Sequence, residues 1–219
     1  MTQTLQTALR RLRLSGMAAS LDIRLQEARG AGLNHEEFLE LVVQDELTVR
    51  RDRLMARRIK VAAFRERKTL EDFDWRFNPS VQRKVLYELA TCRFIREARD
   101  VLLVGPPGVG KSHLAQALGY EAIKAGHTVL YRSIFDLVRR LAREEAFEDQ
   151  DRVMARLLKA DLLIIDDMGL RTLPRQSGEH LFEIILRRHQ LRSTVMTSNR
   201  PLEDWGNPVS YTHLRAPRD

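Results

Sequence analysis

A single cysteine, Cys92, occurs in the 219-residue chain, so an intrachain disulfide is excluded, and so are the paired-cysteine spacings of zinc and redox sites. No apolar run approaches the roughly 18 to 20 residues that span a bilayer. Arg10, Arg11 and Arg13, set among the first leucines, do not make a secretory signal. The expected location is the reducing cytoplasm, with no membrane partner. The six histidines, His35, His113, His127, His180, His189 and His213, show neither HxH nor HExxH spacing, which argues against a zinc-type site. A GxSxG nucleophile motif, internal repeats and low-complexity tracts are also missing. What is present is 43% apolar and 31% charged residues with 11 Gly and 7 Pro, the composition of one large or two small globular domains. Such a chain buries roughly 70% of its unfolded surface without staples.

The net charge is +7, and +5 of it falls in the first hundred residues. It peaks between Arg50 and Lys68, where nine basic residues face only Asp52 and Glu66; that density points to a polyanionic partner. The same region reads as helical. Leu5, Leu9 and Leu12 keep helical spacing, Leu14, Ala18, Leu21 and Leu25 continue it after a break near Ser15-Gly16, and Gly30 and Gly32 stop it. Asn34 with Glu37 forms an approximate capping box for one long helix expected over His35–Arg67. On that helix Arg50, Arg53, Arg57 and Lys60 gather within a sector of about 80°, flanked by Arg51 and Arg58, with Met55, Ile59 and Ala62 opposite. These six basic residues are the candidate DNA contacts; a solvated surface face is the competing reading.

Residues 69–80, TLEDFDWRFNPS, turn acidic and aromatic and mark the expected boundary between a helical domain at 1–68 and a second domain from 81. Phe73, Trp75 and Phe77 alternate as in an extended segment that docks its rings on the next domain, with base stacking as the alternative. After a helix expected from Val81 to about Ala98, the apolar runs VLLV at 101, TVLY at 128, LLII at 162 and TVMT at 194 alternate with helical segments. Runs so uniformly apolar predict a parallel α/β sheet covered on both faces. Phe182, Ile185 and Leu186 are expected in its core.

Directly after the first run, Gly105-Pro106-Pro107-Gly108-Val109-Gly110-Lys111-Ser112 matches G-x-x-x-x-G-K-[ST], with a strand before it and a helix after it. In that context backbone N–H groups curl around a phosphate, Lys111 reaches the β- and γ-phosphates, and Ser112 offers its hydroxyl to Mg²⁺. His113 continues this binding segment. Asp166 and Asp167 end the third strand run at the carboxyl edge of the sheet, where ligands of open α/β sheets bind. Asp166 is expected to hold Mg²⁺ and Asp167 to orient or deprotonate the attacking water. Asn199, closing TVMT-SN, is placed to hydrogen-bond the γ-phosphate or that water, with Thr197 or Ser198 as capping alternatives.

This order of P-loop, paired carboxylates and terminal Asn has the layout of an AAA+ ATPase: a P-loop parallel sheet with flanking helices, here preceded by an all-helical N-terminal domain. The chain resembles the IstB-type ATP-binding proteins of insertion sequences, related to DnaC-like helicase loaders. The resemblance rests on LRLSGMAASL at 12–21, KTLEDFDWRFNP at 68–79, LLVGPPGVGKSHLAQALG at 102–119, LLIIDDMGL at 162–170 and STVMTSNRPLEDW at 193–205. It implies ATP and Mg²⁺ as cofactors, largely sequence-independent DNA binding, homo-oligomers, and activation of a partner transposase. After Trp205 the resemblance ends. Residues 206–219 then read as a non-family tail on an ATPase core, 81–205, that lacks its last strand and lid. The strand at 101–104 becomes a sheet edge and hydrolysis is expected to be weak, since an arginine supplied in trans contributes 10³ to 10⁵ in related phosphoryl transfers. Arg187 and Arg188 are read as surface residues, with an interface role as the alternative. Competing functions are a replicative helicase loader, a nucleotide-binding interaction protein with little turnover, and a small-molecule P-loop kinase, for which no acceptor pocket is indicated.

Overall fold

The computed structural model describes residues 2–143, 147–168 and 175–201; Trp205 and the tail at 206–219 lie outside them. The chain divides into two units, Met1–Arg57 and Arg58–Asp219. This division falls earlier than the composition change at 69.

The first unit holds α1 (Gln3–Arg11), α2 (Ser15–Ala31) and most of α3 (His35–Ala62). Asn34 caps α3 as its sequence predicts. Its Oδ1 accepts from the N–H groups of Glu36 and Glu37, both at 3.0 Å, while Glu37 accepts from the Asn34 N–H at 2.8 Å. Leu14, the residue preceding α2, offers no side-chain cap. Glu46 of α3 does so instead, accepting from the N–H groups of Gly16 at 2.6 Å and Met17 at 3.1 Å. Arg50 holds the other oxygen of that buried carboxylate at 2.7 Å. The approach is close enough that a Cβ on Gly16 would stand 2.7 Å from the Glu46 Cα, which accounts for glycine in the LSGM string. Leu9, Leu21 and Val42 form the buried core of this unit.

In the second unit α3 ends at Ala62, short of the predicted Arg67, because Ala63 adopts a left-handed φ of 58°. The helix expected from Val81 is likewise two pieces, α4 (Arg83–Ala90) and α5 (Arg93–Arg96), broken where Cys92 takes φ 59°. There follow β1 (Val101–Val104), α6 (Lys111–Lys124), β2 (Val129–Ser133), α7 (Ile134–Arg143), α8 (Phe147–Lys159), β3 (Leu162–Met168), α9 (Arg175–Arg188) and β4 (Ser193–Ser198). All four strands are parallel, in the order β1-β4-β3-β2, so β1 is an edge among the described residues. Leu162, Leu163, Ile164 and Ile165 of β3 are fully buried; each such side chain contributes about 1.5–3 kcal/mol. Leu163 and Ile165 join Ile134, Leu137, Leu157 and Ile184 from α7, α8 and α9 in one core. A second core contains Leu114, Ala117 and Leu118 of α6 with Leu70, Phe73 and Leu86.

Two expectations about α9 are corrected. Phe182 and Leu186 are 68% and 60% exposed, and Leu181 and Ile184 are the buried residues. Five apolar residues in six positions leave the buried face undetermined by spacing alone. Arg188 is not on the surface: its guanidinium donates to the carbonyls of Leu157, Ala160 and Ser193 and to Thr194 Oγ1. It ties the end of α8 to the start of β4, and burial lowers its pKa to about 10.

Candidate functional site

The parallel sheet places four chain segments at one edge: the loop after β1, the end of β3, the end of β4, and a strap at 63–78. Gly105 enters the loop by donating its N–H to the Ser198 carbonyl at 3.2 Å, which joins the loop to the end of β4. Gly108 and Gly110 have φ of 82° and 92°, conformations that residues with a Cβ rarely adopt. Gly110 is also the residue that opens α6, so no side chain there occupies the first N–H groups of the helix. Such groups and the positive helix end suit a phosphate.

Lys111 folds back over the loop, its Nζ 2.6 Å from the Pro106 carbonyl. Desolvation lowers its pKa, while the negative charges of Asp166 and Asp167 oppose that shift. One turn of backbone thus brings an ammonium into the field of two carboxylates from a different strand.

Ser112 donates to Asp166 Oδ1 at 2.9 Å. Asp166 is fully buried and receives hydroxyl hydrogen bonds from Tyr131 on β2 and Thr197 on β4 as well. Burial and the bond to Asp166 push the Tyr131 phenol far above its ordinary value, so Tyr131 stays a neutral donor. The Asp167 backbone bulges: β3–β4 register shifts between Ile165 and Met168, and Asp167 takes φ 66°. Its N–H donates to Thr197 Oγ1 at 3.0 Å, and its Oδ2 accepts from Arg65 at 3.1 Å. Thr197 therefore bonds to both aspartates at once.

The strap covers the loop from the other side. Asn78 Nδ2 donates to the Val109 carbonyl at 3.2 Å, the His113 ring nitrogen lies 2.8 Å from the Thr69 carbonyl, and Glu66 N–H donates to Gln116 Oε1 at 3.2 Å. Phe73 is buried edge-on to His113, with ring centroids 5.2 Å apart. It docks as its sequence predicts, through turns and not an extended strand, whereas Phe77 stays 68% exposed.

Of the sequence-predicted site residues, Gly105, Pro106, Pro107, Gly108, Val109, Gly110, Lys111, Ser112, Asp166 and Asp167 share this edge. Asn199 directly follows β4 and is half-buried beside the Ser198 carbonyl that anchors the loop. The His113 ring engages the strap. Tyr131, Arg65 and Asn78 are site neighbours that motif reading passed over, and Thr197, read only as a capping alternative, bonds to both aspartates; a polar-tipped residue inside an otherwise apolar strand run is the signal that marks Tyr131 and Thr197. The six basic candidates of α3 divide by role. Arg50 pairs with Glu46, and Arg53 donates to Ser15 Oγ at 2.5 Å, while Arg51, Arg57 and Lys60 are exposed and Arg58 is half-buried.

The donor set fits a triphosphate carried with Mg²⁺. The loop supplies backbone N–H groups and one ammonium, and Ser112 with Asp166 would supply hard oxygens of the kind that Mg²⁺ prefers. Among the described residues no group of three or more His, Cys, Asp or Glu is arranged to hold a metal without such help. No helix among them is long and apolar enough to cross a membrane.

The family model of IstB-like ATP binding proteins matches residues 7–215, a span that passes Trp205. The chain is 37% identical over 202 residues to an IS21 insertion-sequence ATP-binding protein of Pseudomonas aeruginosa, covering 92% of this chain and 76% of that one. It is 35% identical to an IS1162 insertion-sequence ATP-binding protein of Pseudomonas fluorescens, covering 100% of this chain and 99% of the relative. Among solved structures, AMPPCP-bound DnaA from Aquifex aeolicus aligns with a TM-score of 0.57 at 22% identity, over 67% of this chain and 46% of that one. DnaI aligns with a TM-score of 0.54 at 23% identity, over 64% and 76%. These two likenesses establish the α/β AAA+ fold.

Proposed function

The chain belongs to the IstB-like ATP-binding proteins found in insertion sequences, and on that basis we propose that it is an ATPase that assembles with its own copies on DNA and activates a partner transposase. The observation that carries the ATPase part is the Ser112–Asp166 hydrogen bond, which brings the loop hydroxyl to a buried carboxylate 54 positions away. Lys111 binds the β- and γ-phosphates, and the backbone of 105–110 encloses them. Ser112 and Asp166 are the residues that hold Mg²⁺, which when bound supplies positive charge against the phosphate oxygens. Asp167, more exposed than Asp166, orients the attacking water, and Asn199 donates to that water or to the γ-phosphate. Tyr131 and Thr197 fix the Asp166 carboxylate by donating to it.

The DNA and assembly parts have different supports. Arg51, Arg57 and Lys60 stand exposed on α3, as phosphate contacts require. Phe182 and Leu186, one turn apart on α9, leave an apolar surface suited to a second copy of the chain. The test of the nucleotide site is Lys111→Ala, with binding followed by titration of ATP and of AMPPCP. Loss of both affinities with an unchanged circular dichroism spectrum is expected; unchanged affinity removes the phosphate-loop reading.

A further inference from the structure

Arg65 lies outside every motif, yet its guanidinium donates to Asp167 Oδ2 at 3.1 Å across 102 positions of sequence. We infer that Arg65 is a positioning residue of the hydrolytic site: it occupies the acceptor oxygen with which Asp167 orients water, and so holds basal turnover down until the pair opens. The inference rests on the reading of Asp167 given above.

Four features favour a latch over a scaffold. The Asp167 backbone is fixed without Arg65, since its N–H already donates to Thr197 Oγ1 at 3.0 Å. What the arginine engages is a side-chain oxygen alone, so it takes up one acceptor position of the carboxylate. The pair also sits where it can break, with side chains 50% and 22% exposed. Exposed pairs of this kind are weak.

Finally, the segment carrying Arg65 is clamped to the nucleotide-loop helix. Glu66 N–H donates to Gln116 Oε1, and Gln116 Nε2 in turn donates to the Ser112 carbonyl at 3.1 Å. On the other side Ala62, just before the left-handed turn at Ala63, accepts from Arg132 at 3.1 Å. The segment that carries the guanidinium is thus tied both to α6 and to β2.

The experiment compares the full chain with Arg65→Ala, Arg65→Lys, Asp167→Asn and the double variant R65A/D167N, measuring kcat and KM for ATP and the affinity for AMPPCP. Arg65→Ala is expected to raise kcat about two- to fivefold, the range set by the strength of an exposed pair, with KM and AMPPCP affinity unchanged. Arg65→Lys, which keeps a cation at this position, is expected to keep the low rate, and R65A/D167N is expected to turn over no faster than Asp167→Asn. A kcat that stays level or falls in Arg65→Ala overturns the inference, as does a rise that persists beside Asp167→Asn. Added monovalent salt gives a check that needs no variant to fold: screening of the pair should raise wild-type kcat, and a kcat that stays level or falls counts against the latch. Failure of the underlying reading looks different. There, Asp167→Asn leaves turnover unchanged, or the wild-type chain binds no AMPPCP.

Discussion

Phe73 packs so closely on Gly110 that a Cβ on the glycine would stand 2.6 Å from the ring's Cε2. Gly110 also holds φ 92°, so Gly110→Ala carries two faults, a strained backbone and a collision. It is expected to abolish ATP binding, and relieving the collision through Phe73→Ala in the same chain should not restore it, because the φ requirement remains. Phe73→Ala alone leaves a cavity in the core shared with Leu70, Leu114 and Leu118 and should cost about 3–5 kcal/mol of stability. Denaturant titration and ATP binding on the same samples separate the two effects.

The first unit should be acid-sensitive through two neighbouring carboxylates. The Arg24 guanidinium, with help from Ser20, holds Asp45 down from 3.8 to about 2. Arg50 and the N–H groups of Met17 and Gly16 lower Glu46 against the opposing effect of burial. A carboxylate depressed by folding stabilises the native state above its unfolded value, and that contribution disappears as pH falls through the folded value. The loss therefore falls between about pH 4.5 and pH 2, with about 1 kcal/mol from the partly screened Asp45. Denaturant titrations followed by circular dichroism at a series of pH values should show stability declining across that window in wild type. Asp45→Asn should flatten the decline while lowering stability near neutral pH.

Much of the site was legible because its signals are local. The glycine spacing of 105–110 sits between a four-residue apolar strand and an uninterrupted helix, and Asp166-Asp167 closes an apolar run that only a buried strand explains. The Asn34–Glu37 cap is a four-residue pattern and could be read the same way. What could not be read depends on tertiary partners. Nothing local marks Ala63 or Cys92 as left-handed, since alanine and cysteine carry no preference for φ near 58°. Arg188 reads as surface because an arginine is rarely buried unless paired; here backbone carbonyls at the end of α8 replace a carboxylate. Arg65 meets Asp167 only after the chain has built β2, β3 and the strap.

The structure redistributes the basic stripe on α3 and sharpens its test. Arg50 and Arg53 serve the start of α2, so their replacement should lower stability in addition to any weakening of DNA binding. Arg51→Ala, Arg57→Ala and Lys60→Ala together leave those bonds intact. This triple variant should weaken duplex binding evenly across sequences and reduce the slope of log K against log salt by about 0.9 for each phosphate that is no longer neutralised. An unchanged slope would leave these residues as a solvated face. Fluorescence anisotropy over a salt series, with thermal unfolding as control, makes the measurement.

Self-assembly through α9 would leave a measurable signature. Phe182 and Leu186 expose apolar side chains on the helix whose other face, Leu181 and Ile184, is buried in the core beside β3 and β4. Their replacement by serine removes little from that core, and stability should change by no more than about 0.5 kcal/mol, as at ordinary surface positions. If a second copy covers this surface, Phe182→Ser with Leu186→Ser should lower the mass found by sedimentation in the presence of ATP while AMPPCP affinity holds, because both side chains are exposed on α9 and neither belongs to the phosphate loop. Retained mass would assign assembly to another surface. A joint loss of mass and nucleotide affinity would instead mean that the neighbouring copy completes the ATP site, and that α9 reaches it.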